Sequence, residues 1–305
     1  MREIPWTVAR GFLMGAADVV PGVSGGTVAL VVGIYERLVE SIRCGSSALG
    51  SLITLDPSRA MAWLRRIEWT LVLPLLAGIA LAVIALAGLI EDQLADHPVQ
   101  LASLFFGLVA GSVVVAWRLL HRKDAIRIAI IVVTTVVVFA ALGLRGGTAE
   151  DTVAQLDDVA LWMFFASGAV AICAMILPGI SGSFVLVLLG MYGPVLAAVN
   201  DRDVAPVLAV GLGAVVGLAL FSQLLHWALR HHHDSVLAAL IGLMAGSARV
   251  VWPWPNGVDS TAIGPPDHAV ATSLLLAAAG FAVVLAIHAV SERVDRRSDE
   301  PVSAA

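Results

Sequence analysis

The sequence predicts an all-α protein that crosses the membrane several times, and three observations carry this prediction. Hydrophobic residues make up 59% of the 305 residues and charged residues 13%, whereas a soluble domain carries about a quarter charged residues. The mean hydropathy is +0.92. Long apolar segments also recur along the chain. So few charges cannot cover a water-facing surface, so the principal solvent of this chain is lipid.

The composition also excludes other classes of protein. Two cysteines, Cys44 and Cys173, cannot form the disulfide framework of a small secreted domain. The chain has no basic stripe with interleaved aromatic residues, so nucleic acid is excluded as a partner. We expect neither a cofactor nor a resident metal.

Six segments are long and apolar enough to span a membrane, which takes about 20 residues. Each is bounded by charged residues or by Pro and Gly. The predicted spans are residues 70–90, 101–120, 125–144, 205–229, 235–252 and 269–290.

Two further apolar stretches, residues 8–42 and 160–199, are each interrupted by Pro-Gly-x-Ser-Gly. Each is too long for one crossing, and the first is too short for two. Broken helices occur at membrane depth only where protein or a water-filled cavity satisfies the freed backbone groups. We therefore predict two re-entrant hairpins, although length leaves two full crossings open for the second stretch.

The charges of the loops predict which side of the membrane each loop faces. Cytoplasmic loops carry an excess of Lys and Arg. On the six-span model, all 18 basic residues except Arg145, Arg202 and Arg249 lie on the side that holds both termini. We therefore predict that the N-terminus and the C-terminus are cytoplasmic.

An internal repeat divides the chain into two halves. Residues 21–35 align without gaps on residues 178–192, with seven of fifteen positions identical, and residues 106–117 align on 241–252 with seven identities. Each half thus comprises a broken hairpin and three spans. The predicted units are a first repeat, 1–144, a second repeat, 145–292, and a polar cytoplasmic tail, 293–305.

Three crossings per half is an odd number, so the two repeats must have opposite orientations in the membrane. Inverted repeats with discontinuous helices are the architecture of many secondary transporters. The alternative is a duplication kept only for packing, in which Gly107, Gly111, Gly242 and Gly246 allow close helix contacts.

Each break has the composition of an anion-binding helix terminus. Pro ends the incoming helix, Gly permits the turn, and Ser24 or Ser181 stands at the N-cap of the next helix. Such a terminus offers unpaired N–H groups and the positive end of the helix dipole. The sequence therefore predicts two phosphate or carboxylate cradles, whose residues are Pro21, Gly22, Ser24, Gly25, Gly26, Thr27, Pro178, Gly179, Ser181, Gly182 and Ser183.

Four charged residues are further candidates. Asp18, whose counterpart in the second half is Met175, should lie deep in the membrane, where an ionisable residue usually has a function. We expect proton coupling or gating from Asp18; the alternative is that it caps backbone N–H groups at the hairpin tip. Arg249 is a candidate for admitting an anionic head group, or else a snorkelling arginine. Arg10 and Glu36 are candidates for releasing it.

The run His231–His233 falls in a predicted cytoplasmic loop. Adjacent side chains on a helix point in different directions. We therefore expect a solvated loop here rather than a metal site.

Residues 11–27, GFLMGAADVVPGVSGGT, and residues 33–36, GIYE, closely resemble the polyprenyl-phosphate transporter family of bacterial membrane proteins. Residues 177–183 and 242–254 resemble that family too, so the likeness extends over essentially the whole chain. The second motif has Ser183 and Phe184 where the first has Gly26 and Thr27, which argues against equal roles for the two cradles.

The resemblance implies a transporter in the bacterial plasma membrane and not an enzyme. Such a protein returns undecaprenyl phosphate, an anionic isoprenoid lipid, from the outer to the cytoplasmic leaflet, where the lipid again serves peptidoglycan and other envelope polymers. We expect alternating access around the two cradles, with protonation of Asp18 as a candidate coupling step.

Two other functions are compatible with the sequence. A transporter of small anions would use the same architecture. An intramembrane serine hydrolase would use the Gly-x-Ser-Gly patterns at Ser24 and Ser181 with His288, but a nucleophilic serine needs one base within hydrogen-bond reach, and a duplicated serine with a single histidine fits that poorly. The oligomeric state is left open.

Overall fold

The computed structural model describes residues 3–20, 23–143, 159–257 and 262–299, and these ranges contain helices and no strand. The predicted outer loop at 145–158 and the last residues of the tail lie outside them. In chain order the helices are α1 Glu3–Asp18, α2 Gly25–Val31, α3 Tyr35–Ile53, α4 Pro57–Leu64, α5 Trp69–Asp96, α6 Pro98–Leu119, α7 Ala125–Gly143, α8 Leu161–Ile176, α9 Gly182–Leu188, α10 Tyr192–Asn200, α11 Val204–Ser247 and α12 Val270–Asp299.

Among the described helices, five are long and apolar enough to cross a membrane: α5, α6, α7, α11 and α12. Helix α11 has 44 residues, about 66 Å at 1.5 Å per residue, or roughly twice the thickness of the hydrocarbon core. The non-helical residue His232 (φ −136°, ψ 40°) divides it. Its first part contains the predicted span 205–229, but its second part ends at Ser247, so the predicted span 235–252 is too long at its C-terminal end. The prediction of an all-α, multi-pass membrane protein is confirmed.

The helices extend beyond the predicted spans at several ends. Helix α5 continues to Asp96 and α12 to Asp299, so the predicted polar tail at 293–305 begins as helix. The predicted spans are bounded by the ends of the apolar runs. The helices continue past these ends because the polar residues that follow are also compatible with a helix.

Polar residues after the first hairpin form helix, not a loop. Helix α3 continues to Ile53, and the short helix α4 follows. Asp56 caps α4 by accepting a hydrogen bond from the Arg59 N–H. Hydrogen bonds from the Ser58 hydroxyl and from the Arg59 N–H lower the pKa of Asp56. Helix α4 is too short to give a clear apolar period, so the sequence pattern does not predict it.

The two predicted hairpins have the same local structure as far as the turn that follows the short helix of each, α2 or α9. Helices α1 and α8 have 16 residues each, and α2 and α9 have seven each. Each short helix ends in a turn with a glycine at positive φ, Gly33 at 74° and Gly190 at 71°, which are equivalent positions of the repeat. Helices α9 and α10 are bent by 112°. The re-entrant course of both hairpins stays a prediction.

Glycines bring the helices into close contact. Helix α1 packs on α5 through Gly11, Gly15 and Gly78, and α8 packs on α11 through Gly168 and Gly213. A Cβ at each of these positions would overlap backbone atoms of the neighbouring helix. The first helix of each half thus lies against the first span of the same half.

The second and third spans pair across the halves. Helix α6 packs on α12, where a Cβ on Gly107 would overlap the Ala277 carbonyl. The second part of α11 packs on α7, with Gly242 and Gly246 against Ile131 and Thr135. The packing role of these glycines is confirmed. The third span of each half therefore packs on the second span of the other half.

The centre of the molecule is occupied by the first hairpin. In α2 six of seven residues are buried, whereas in α9 only Gly182 is buried. Ile34 and Tyr35, which follow α2, pack in the same core with residues of α5, α6 and α11. The two copies of the motif therefore lie in different surroundings.

Candidate functional site

The first tip, residues 24–27, begins helix α2. Ser24 has extended backbone angles (φ −128°, ψ 135°), and its hydroxyl accepts a hydrogen bond from the Gly26 N–H at 3.1 Å. Ser24 and Thr27 are each 3% exposed. The predicted N-cap at Ser24 is confirmed, because a serine hydroxyl satisfies one of the free N–H groups of a helix start. Pro21 and Gly22 lie outside the described residues.

Asp18 already contacts the first tip. Its Oδ1 accepts a hydrogen bond from the Gly25 N–H at 2.6 Å. A Cβ on Gly25 would lie 2.5 Å from Asp18 Oδ2, so glycine is needed for this approach. The capping interpretation of Asp18 is therefore confirmed. The Gly25 N–H, which is predicted to bind the substrate, donates its hydrogen bond to the Asp18 carboxylate instead. The coupling role of Asp18 stays a prediction.

The second tip, residues 181–184, differs chemically from the first. Ser181 has N-cap backbone angles (φ −92°, ψ 136°), but its hydroxyl makes no capping bond and lies 2.8 Å from the Ser183 hydroxyl. Met175 stands where Asp18 stands in the first copy, and a Cβ on Gly182 would lie 2.9 Å from its Sδ. This tip therefore presents two hydroxyls and no carboxylate from the Asp18-equivalent position.

The first tip lies against the break that precedes the second. The Ser24 hydroxyl donates to the Leu177 carbonyl at 3.4 Å, and the Tyr35 hydroxyl donates to the Ile176 carbonyl at 3.1 Å. A Cβ on Gly26 would lie 3.5 Å from the Pro178 nitrogen. These bonds satisfy carbonyls at the end of α8, where the helix ladder stops. The two motifs therefore meet at these residues.

The second motif is also fixed from its other side. Gly179 has a φ of 89°, and a Cβ there would lie 2.7 Å from Met244 Cα. The turn therefore packs directly on the second part of α11. Gly179 is required both for its left-handed backbone and for this contact.

Helix α12 holds the other end of α2. His288 Nδ1 lies 2.9 Å from the Val31 carbonyl, and the Ser291 hydroxyl donates to the Val32 carbonyl at 2.9 Å. Arg10, 4% exposed, donates through Nη2 to Ser291 at 2.7 Å and to Asp295 at 2.8 Å. Ser291 and Asp295 carry no motif that predicts a function. With His288, however, they form a polar stripe on one face of an apolar helix, and this stripe is the signal in the sequence that could have found them. Release of a head group by Arg10 stays a prediction, since Arg10 is buried in this pair.

Arg249 lies at the C-terminal end of α7. Its Nη1 donates to the Phe139 carbonyl at 3.4 Å, and its guanidinium lies 4.8 Å from the centre of the Phe139 ring. The negative end of a helix dipole favours a cation there. Admission of an anionic head group by Arg249 stays a prediction.

Glu36 lines a polar crevice of about 350 Å³ at the start of α3. Three arginines share this crevice: Arg37, Arg66 and Arg230. Arg37 is paired with Glu68, and Arg66 stacks on the Trp63 ring at 4.8 Å. The crevice therefore offers guanidinium groups near one of the two residues predicted for release.

An apolar cavity of about 220 Å³ adjoins the first tip. Its lining comes from α1, α2, α5, α6 and α12 and includes Ala17, Val23, Thr27, Phe105 and Ile287. No periodicity in the sequence indicated it, because a cavity between helices depends on their packing.

The serine hydrolase alternative lacks the geometry that it requires. A nucleophilic serine needs a base in hydrogen-bond reach. Across the described residues, the hydrogen bonds of Ser24 and Ser181 involve no histidine, and His288 is bonded to the Val31 carbonyl instead.

The fold and the site define a multi-pass helical membrane protein in which two interrupted helices meet, an arrangement that secondary transporters use for substrate binding. The chain belongs to the undecaprenyl phosphate translocase-like family, whose model matches residues 14–263.

Two named relatives support this assignment. The chain is 40% identical over 256 residues to a polyprenyl-phosphate transporter of Vibrio cholerae, covering 81% of this chain and 77% of that protein. It is 29% identical over 266 residues to a polyprenyl-phosphate transporter of Staphylococcus aureus, covering 83% and 88%. No solved structure matches the chain. Both relatives are named as transporters, in agreement with the expectation of a non-enzyme.

Proposed function

We propose that this protein carries undecaprenyl phosphate from the outer to the cytoplasmic leaflet of the bacterial plasma membrane. The observation that carries the proposal is the meeting of the two Pro-Gly-x-Ser-Gly motifs, through the bonds from Ser24 and Tyr35 to the end of α8. The names of both relatives, polyprenyl-phosphate transporter, support the choice of substrate.

The chemistry of the substrate explains why such a site is needed. The phosphate head must cross hydrocarbon, where an unpaired charge is costly. The isoprenoid tail is apolar and can remain in the lipid throughout. Helix N-termini and hydroxyls lower this barrier for the head without a fixed cation. The apolar cavity beside Thr27 accommodates the part of the tail next to the phosphate.

The difference between the tips suggests an order of binding. The second tip, with Ser181 and Ser183 and with Met175 in place of Asp18, receives the phosphate first. At the first tip the Asp18 carboxylate holds the Gly25 N–H, and a phosphate there would face a like charge. Protonation or displacement of Asp18 frees that N–H group, which couples movement of the head to a proton.

The charged candidates lie on either side of this step in the proposed cycle. Arg249, beside the end of α7, admits the head from the outer leaflet. The crevice with Glu36, Arg66 and Arg230 receives it on the cytoplasmic side. The tips alternate between these two openings.

The proposal is tested by the accessibility of the lipid in vesicles. Undecaprenyl phosphate is incorporated in both leaflets with the purified protein, and a membrane-impermeant phosphatase is added outside. We expect the protein to make the inner pool accessible, and a pH gradient to change the rate. Vesicles with the Ser24→Ala, Ser181→Ala double variant are the control.

Other results would contradict the proposal in distinct ways. An inner pool that stays protected with the wild-type protein would exclude lipid transport. Protein-dependent uptake of inorganic phosphate without lipid movement would instead favour the small-anion transporter.

A further inference from the structure

A cluster of two histidines and two carboxylates lies away from both tips, at the kink of α11. His121 Nδ1 lies 3.4 Å and His233 Nδ1 3.5 Å from the same atom, Asp234 Oδ1. The three potential ligand atoms all lie within 4.8 Å of one another. His121 follows the end of α6, and His233 and Asp234 follow the non-helical residue His232.

The two distances from the histidines to Asp234 fit a tetrahedral metal centre. Ligand atoms that lie roughly 2.1 Å from zinc are about 3.4 Å apart at the tetrahedral angle. The two histidine–aspartate distances, 3.4 and 3.5 Å, are close to this value. The His121 side chain is 78% exposed, so its ring is free to adjust to a metal.

Glu36 completes the arrangement in the way that histidine ligands require. His233 uses Nδ1 toward Asp234, and its other ring nitrogen, Nε2, lies 2.8 Å from Glu36 Oε1. A carboxylate on the far nitrogen of a metal-binding histidine fixes its tautomer and raises its basicity. Glu36 at the start of α3 therefore acts as a positioning residue for His233.

The neighbouring histidines do not belong to the cluster. His231 stacks on the Trp227 ring at 5.2 Å, and His232 meets the same ring edge-on at 5.8 Å. The kink thus splits the run of three histidines. Of the three, His233 belongs to the cluster with His121 and Asp234. The run lies inside helix α11, and the prediction of a loop there is wrong.

We propose that His121, His233 and Asp234 bind a divalent transition metal of the zinc class, with a fourth position left for water. Two imidazoles and a carboxylate form a ligand set typical of zinc. The bound metal ties the end of α6 to the kink of α11 and, through Glu36, to the start of α3. The proposal does not depend on the transported substrate.

The test measures zinc binding to the full-length protein in detergent, purified without a histidine tag. We expect saturable binding of one Zn²⁺ per chain by calorimetry, and an absorption band of tetrahedral Co²⁺ in the visible range. His121→Ala, His233→Ala and Asp234→Asn should each abolish the Co²⁺ band. Glu36→Gln should lower zinc affinity by roughly 10–100-fold, as loss of such an outer partner does.

Matched controls come from the same run of residues. His231→Ala and His232→Ala should leave zinc affinity unchanged. Zinc should raise the Tm of the wild-type protein and not that of His121→Ala, whose apo Tm should equal that of the wild type because the side chain is exposed. Absence of stoichiometric binding, or an equal loss in the control variants, would overturn the proposal.

Discussion

Asp18 and Met175 occupy equivalent positions in the two copies of the motif, and they make the copies chemically different. A carboxylate seven residues before Gly25 folds back onto its N–H group, whereas a thioether packs beside Gly182. A single side chain therefore decides whether the start of the short helix already has an anion.

Replacing Asp18 by Asn should alter the pH profile of transport more than the affinity for the lipid. The amide oxygen still accepts the Gly25 hydrogen bond, but it no longer takes up a proton, so transport should lose much of its pH dependence. The vesicle assay over a range of pH, with lipid binding measured in parallel, checks this. A profile identical to that of the wild type would remove Asp18 from the coupling step.

The two tip serines should differ in their effect on stability. Ser24→Ala removes the bonds to Gly26 and Leu177 and should lower the free energy of unfolding by about 1 kcal/mol. Ser181 makes no capping bond, so Ser181→Ala should leave that free energy nearly unchanged. Unfolding of both variants in detergent measures the difference.

Ser24→Ala and Ser181→Ala should each lower the affinity for the lipid head group, and their effects should add. The Ser24→Ala, Ser181→Ala double variant should bind the lipid more weakly than either single variant, since each tip supplies hydroxyl or N–H groups. A double variant no weaker than Ser24→Ala would restrict the site to the first tip.

At the scale of the helices, glycine contacts determine which helices can lie side by side. Gly107→Ala should destabilise the protein by roughly 2 kcal/mol or more, because a Cβ would overlap the Ala277 carbonyl and separate α6 from α12. Gly88→Ala in α5 is the matched control: a Cβ there meets no atom within 4 Å, and helix propensity predicts a gain of about 0.5–1 kcal/mol. Equal effects would contradict this account of packing.

Sequence periodicity and motif composition predict the helices and their breaks better than they predict which helices pack together. The spans, both breaks and the N-cap at Ser24 follow from local composition, which lipid and the backbone constrain directly. The bond from Arg10 to Asp295 joins residues 285 positions apart, and only the packing of α1 near α12 brings them together. The fold of Asp18 onto Gly25 depends on the angle of the break, which composition does not determine.

At the scale of the whole molecule, the predicted inversion of the two repeats can be tested by the side of the membrane that each loop faces. In a background with Cys44 and Cys173 replaced by Ala, a cysteine at Lys123 should react with a membrane-impermeant maleimide only from the cytoplasmic side. A cysteine at Asp201 should react only from outside. Labelling of both positions from one side would contradict the opposite orientation of the halves.

The exchange of third spans has a consequence for biogenesis. Helix α6 is synthesised early, yet α12, the helix that covers Gly107 and Gly111, follows all the other described helices in the chain. Until α12 has been synthesised, the small-residue face of α6 faces lipid or an assembly factor, and α7 likewise waits for the second part of α11. The first repeat therefore cannot complete its own packing until the second part of α11 and then α12 have been synthesised.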